Sequence, residues 1–199
     1  MVSSLARLHA SVVTCISARH SAAALLNSQH GYARGIEIYL QRRSANGFNG
    51  WVSYAFGRAI VTDDTLQVTF PSDYDQHHTF NAYASRRIRP TVNVSGRLTL
   101  GSGMPLPGFY SQDALGYSLS DQRNALRAPV YQRTDVRLNK AFIHTKVKTT
   151  IFGEIVNLTN HQNRDFDSPG PYDPATHRTN PSFYDMLPIL PSVGLLLEF

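Results

Sequence analysis

One cysteine, Cys15, stands in the whole chain. That excludes an intrachain disulfide framework and any metal knuckle built from cysteine pairs. Charge is sparse: only 17% of residues are Asp, Glu, Lys or Arg. The 19 Lys+Arg and 14 Asp+Glu are dispersed rather than striped along one element, so the mild basic excess does not read as a nucleic-acid footprint. No run reaches the roughly 18 apolar residues that a transmembrane helix needs. Barrel strands, which cross with about 9–11 residues, are untouched by that absence. The chain has no G-x-S-x-G elbow and no glycine-rich phosphate loop, so no catalytic residue, enzyme activity, metal or cofactor is expected. Residues 1–30 lack a clean secretory leader, because Arg19-His20 interrupts the best apolar stretch and no A-x-A site follows.

What the sequence does contain is aromatics and alternation. Ten Tyr and ten Phe are spread along a chain rich in Ser, Thr and Asn, a composition suited to strands with one apolar and one polar face. Ile36, Ile38 and Leu40 alternate with Glu37, Tyr39 and Gln41, which predicts a strand by the period-two rule. The same pattern predicts strands over Trp51–Thr62, His78–Ile88, Val92–Leu100, Tyr131–Ile143, Val147–Leu158 and Leu187–Phe199, the last disturbed by Pro188 and Pro191. The expected fold is therefore all-β, an antiparallel up-and-down meander of about seven strands.

Connection lengths carry a second pattern. Short turns after residues 43, 89 and 144 alternate with long polar segments around 63–77, 101–129 and 160–185. Ordinary domains seldom repeat long loops, whereas outer-membrane barrels put short turns on one side and long loops on the other. Arg42, Arg43, Arg86, Arg87, Arg89, Lys146 and Lys148 gather at the short turns, and the acidic residues lie mostly in the long loops. The final run places Val193, Leu195, Leu197 and Phe199 on one face, with Gly194, Leu196 and Glu198 on the other.

At these residues the chain resembles the C-terminal part of a TonB-dependent outer-membrane receptor barrel, nearest to the Oar-like group that often carries a carboxypeptidase-regulatory-like domain. The likeness lies in Tyr32-Ala-Arg-Gly-Ile-Glu37, Gly50-Trp-Val-Ser-Tyr54, Asp75-Gln-His-His78 and Gly101-Ser-Gly-Met-Pro105. It continues in Arg133-Thr-Asp135-Val-Arg137-Leu-Asn-Lys140 and Glu154-Ile-Val-Asn157-Leu-Thr-Asn160. The ending Gly194-x-x-Leu197-x-Phe199 is similar to the signal read by the barrel assembly machinery, with Val193 where a polar residue is usual. The resemblance covers residues 31–199 and leaves 1–30 unassigned. It implies a location in the outer membrane, contact with its lipid, and uptake of a siderophore, peptide or oligosaccharide. The family barrel has about 22 strands and an N-terminal plug through which the TonB complex acts. No plug is recognised in this chain, so the expectation is a fragment of a larger receptor.

Two sets of side chains are expected to matter on this reading. Glu37, Arg97, Asp135, Arg137 and Glu154 are polar residues within strands, expected to face the lumen; the alternative is a structural ladder in which Arg97, Asp135, Arg137 and Glu154, from successive strands, pair with one another. Tyr110, Tyr117, Tyr172 and Tyr184 lie in the long loops and suit stacking on a sugar or peptide. Asp73, Asp75, His77 and His78 are chemically able to hold a divalent ion, but with no further ligand at fixed spacing the ordinary reading is a solvated loop. Trp51, Tyr54, Phe56, Phe142 and Phe199 suit an interfacial girdle. Two other architectures fit the pattern: an eight-stranded barrel using residues 9–17 as an extra strand, and a soluble carbohydrate-binding β-sandwich.

Overall fold

The computed structural model describes residues 2–13 as backbone and 28–43, 47–145 and 147–199 in full. It is all-β. Fifteen strands are present among the described residues: β1 (Val2–Val13), β2 (Gln29–Arg42), β3 (Phe48–Asp63), β4 (Val68–Pro71), β5 (His78–Arg89), β6 (Val92–Gly101), β7 (Tyr110–Asp113), β8 (Gly116–Leu119), β9 (Tyr131–Ile143), β10 (Lys148–Val156), β11 (Arg164–Ser168), β12 (Tyr172–Asp173), β13 (Arg178–Thr179), β14 (Ser182–Asp185) and β15 (Leu190–Glu198).

The long strands make one antiparallel sheet in the order β1-β2-β3-β5-β6-β9-β10-β15, and β4 adds to the upper end of β3. Sequence alternation predicts seven of these eight. The eighth, β1, pairs with β2 from Val2↔Arg42 to Val13↔Gly31. It starts before the 9–17 segment that the eight-stranded alternative requires, and residues 14–17 of that segment lie outside the described residues. β1 and β15 are the two edges of the sheet. Pro191 fits there: it opposes Ile155 in an edge strand, where a missing N–H interrupts no ladder on the open side.

Register divides the sheet into two chemical faces, because side chains alternate at every residue. Ile36, Phe56 and His78 lie in one cross-strand row, and Leu40, Val52, Ala82, Leu98 and Thr134 in another. Leu138, Gly153 and Val193 continue this face to the far edge. The opposite face carries Glu37, Trp51, Asn81, Tyr83, Ser95, Arg97, Asp135, Arg137 and Glu154. The apolar face stays uncovered: Ile36 is 52% exposed, Leu138 50% and Val193 79%. Among the described residues the only buried apolar side chains apart from two prolines, Pro105 and Pro181, are Phe70, Leu106 and Tyr110. The sheet therefore holds its apolar residues on a broad open surface instead of folding them into a core.

The long connections are not bare loops. β7 and β8 form a hairpin, β13 joins β8, and β12 joins β13, so segments 102–130 and 157–189 share a four-stranded sheet. β11 and β14 form a further hairpin. These strands are two to five residues long and turn-rich, too short for a period-two signal.

Asparagines lock the third loop to the sheet. Asn157 and Asn160 have φ of 53° and 48°, a left-handed conformation that asparagine accepts more readily than most residues. Buried Asn157 donates from Nδ2 to the carbonyls of His161 (3.0 Å) and Leu187 (3.1 Å), and its Oδ1 accepts from the His161 N–H (3.2 Å). Asn160 Oδ1 accepts from the N–H of Ile189 at 3.0 Å, just before β15. Asn157→Ala is expected to lower stability by about 2 kcal/mol, since it removes those bonds and places alanine in the left-handed region. The urea midpoint of the refolded chain measures it, with Asn157→Gly as the control that keeps only the backbone freedom.

Candidate functional site

The polar face forms a cleft of about 640 Å³ lined on one side by Trp51 and Tyr83 and on the other by Arg97, Asp135, Arg137 and Glu154. Trp51, Tyr83, Arg97 and Asp135 come from four neighbouring strands and sit in one row. The aromatic side is a ribbon: Tyr39 stacks on Trp51 (6.0 Å between centroids, 30°), and Trp51 on Tyr83 (6.4 Å, 25°). Trp51 is thus on the polar face, opposite to Tyr54 and Phe56, and does not belong to an outer girdle with them.

The charged side is a ladder. Arg133 Nε donates to Asp135 Oδ1 at 2.8 Å, and the Asn157 N–H donates to the same oxygen at 3.0 Å. Arg137 donates to Asn139 Oδ1 at 3.0 Å, lies 3.6 Å from Glu154 Oε2 and stacks over Phe152 at 3.7 Å. Arg97 stands opposite Asp135 across the β6–β9 register. Glu37 shares this face but lies on β2, beyond the aromatic ribbon. All five polar residues singled out from the sequence share one face, and four of them are brought together.

Above the sheet, two polar knots hold the loops. The Asp75 carboxylate is fully buried and accepts from the Ala59 N–H (2.6 Å), from Arg127 Nη2 and from His77 Nε2 (2.9 Å). Arg127 Nη1 also donates to the carbonyls of Asp75 (2.6 Å) and Gly103 (3.1 Å). Gly103 is required where the chain crosses, because a Cβ there would lie 1.7 Å from the Ala128 carbonyl oxygen. In the second knot, buried Asn124 donates to the Pro71 carbonyl (2.8 Å) and to Asp73 Oδ1 (2.5 Å), and accepts from the Gly108 N–H (3.1 Å). The Asp-His segment that invited a metal reading is thus engaged with Arg127 and Asn124. His78 points away from it, to the Tyr54 hydroxyl at 2.8 Å.

Burial opposes ionisation of Asp75, but the Ala59 N–H, Arg127 and His77 outweigh it and leave the carboxyl below its ordinary 3.8. Its stabilisation is therefore present above about pH 4 and is lost as pH falls through the depressed folded value. Loop segments 63–77 and 101–129 are expected to become sensitive to pepsin as pH falls below about 4. Timed proteolysis followed by mass spectrometry reads this.

The four loop tyrosines separate into two kinds. Tyr110 is only 5% exposed and packs on Phe166 at 5.9 Å, and burial pushes its phenol up. Tyr117 packs on Phe183 at 6.2 Å, and Phe166 meets Phe183 at 6.1 Å. Tyr110 is built into the loop layer with no ring face presented, and Tyr117 is half-buried against the same aromatic cluster. Tyr172 and Tyr184 are 45% and 50% exposed. The Tyr172 hydroxyl is 3.0 Å from His177 Nδ1, and the Tyr184 hydroxyl donates to Asp165 Oδ2 at 2.8 Å. Arg178 crosses the loop sheet to Asp113 at 2.7 Å and holds that carboxyl below the usual range.

Gly194 lies opposite Phe152, where an added Cβ would fall 2.2 Å from the ring. Leu197 opposes Thr149 on the apolar face, and Phe199 is 96% exposed. Arg127, Asn124 and Asn163, whose buried amide accepts from the Gln132 N–H (2.8 Å) and donates to the Gln132 carbonyl (2.7 Å), are the organising residues that sequence reading passes over. Each acts across more than 30 positions or through backbone groups, which leaves no local pattern. No family model, curated protein or solved structure matches the chain.

Proposed function

We propose that this chain is a C-terminal wall segment of an outer-membrane β-barrel of the TonB-dependent receptor type. The observation that carries the reading is the open apolar face, continuous across the described strands, with polar residues on the reverse and almost no apolar core. Lipid is the solvent for such a face, and a water-filled or plugged lumen suits the other. The limits of the band support this. Arg34 and Arg58 oppose each other on the apolar face toward the long loops, and Arg42 closes it at the short turn. Eight residues of strand separate the two levels on β2, about 26 Å along the strand and about 20 Å across a bilayer at a tilt near 40°. That is comparable to the apolar belt of known barrels.

In this proposal the polar cleft lines the lumen, and ligand meets the loop layer at Tyr172 and Tyr184. The siderophore, peptide or oligosaccharide is transported and not chemically altered. The barrel assembly machinery reads Gly194, Leu197 and Phe199, and the TonB complex acts through a plug. β1 and β15, the edges of the sheet among the described residues, are where the remaining wall continues. A soluble sandwich needs a second sheet packed at about 10 Å over the apolar face; the long strands here form one sheet. The eight-stranded barrel is the second reading, favoured by β1, which brings the long strands to an even number. Refolding in micelles separates the two: a closed barrel resists denaturant, and an open wall aggregates through its edges.

Expression of the full chain with membrane fractionation tests the proposal. Resistance to carbonate extraction is expected, heat-modifiable migration in addition marks the eight-stranded closed barrel, and recovery as a soluble monomer without detergent overturns the proposal.

A further inference from the structure

Small residues open a groove of about 500 Å³ in the apolar face near the short turns. Gly50, Ala84 and Gly96 follow one another across β3, β5 and β6, so three adjacent strands contribute at most a methyl. Leu40, Val52 and Leu98 border it. At the short-turn end of this face stand two cations, Arg42 opposite Gly50 and Arg86 opposite Phe48. The Arg42 guanidinium lies 5.4 Å from the Phe48 ring centroid, which holds it beside the groove. Both arginines are exposed, and among the described residues neither has a carboxylate within 4 Å.

We infer that this groove binds an anionic phospholipid, its acyl chain over Ala84 and Gly96 and its phosphate between Arg42 and Arg86. The inference rests on the membrane reading above and names a specific lipid site within it. Charge and shape both point to that occupant. Guanidinium forks match phosphate oxygens with paired hydrogen bonds, and two unpaired cations beside an apolar channel fit a molecule that is anionic at one end and hydrocarbon at the other.

The test uses the full chain in nanodiscs of phosphatidylcholine alone or mixed with phosphatidylglycerol. Lipid retained by the protein is counted by native mass spectrometry, and co-elution of the chain with the discs is recorded in parallel. Phosphatidylglycerol is expected to be retained in clear preference to phosphatidylcholine. Arg42→Gln and Arg86→Gln are each expected to cut that preference about five-fold. Arg87→Gln removes the same charge from the opposite face and is expected to leave it unchanged. Gly96→Leu fills the groove, where its Cβ meets only the Asp135 carbonyl oxygen at 3.7 Å, and is expected to reduce retention of both lipids while the chain stays in the discs. Equal retention of the two lipids by the wild-type chain overturns the site, as does a loss with Arg87→Gln equal to that with Arg86→Gln. A chain that elutes apart from the discs overturns the membrane reading and the site with it.

Discussion

Ala82→Arg is expected to lower the unfolding free energy of the membrane-inserted chain by about 2–4 kcal/mol, and Asn81→Arg by less than about 1 kcal/mol. The two positions are adjacent on β5 and differ only in face. Ala82 lies between Val52 and Leu98, and Asn81 between Ser53 and Thr99. Neither site places the new charge opposite another charge, and replacing alanine removes little packing. The difference therefore reports what solvent each face meets: hydrocarbon penalises a guanidinium, and a wet lumen does not. Reversible urea unfolding in phosphatidylcholine vesicles measures both. Equal costs at the two positions would remove the distinction between faces on which the proposed function rests.

Asp75→Ala is expected to cost about 3–5 kcal/mol, because it leaves Arg127 and the Ala59 N–H without their buried acceptor. Arg127→Met is expected to cost a similar amount, since it leaves the fully buried carboxylate facing only His77 and one N–H. The double variant is expected to lose less than the two singles together by about 2 kcal/mol, the coupling of a pair whose members are costly mainly when alone. Urea midpoints give the energies. Protease cleavage within segment 104–128 gives the location, because Arg127 ties that segment to the first loop. Full additivity would mean that the two groups act separately.

Long strands were legible because each keeps its alternation for nine or more residues. Tyr131–Ile143 has the same limits in the sequence pattern and in the structure. The two-face assignment of Arg97, Asp135, Arg137 and Glu154 was legible for the same reason, since period and register are linked. β1 was not, because Val2–Val13 mixes Ser, Ala, Arg and His without a clean period. The loop layer was hidden by its dependence on distant partners: Arg178 finds Asp113, and Asn124 finds Pro71 and Asp73. Tyr110 shows the limit most clearly. Loop position suggested a presented ring, but the cluster with Phe166 exists only once two loops share a sheet.

The central claim is that lipid meets one face of this sheet and water the other, and single cysteines along β6 test it most directly. In a Cys15→Ser background, Val94→Cys and Leu98→Cys sample the apolar face, and Ser95→Cys and Thr99→Cys the polar one. In vesicles, the first pair is expected to react with a membrane-confined maleimide and to resist a charged aqueous one, and the second pair to do the reverse. Labelling of all four positions by the aqueous reagent would contradict the account.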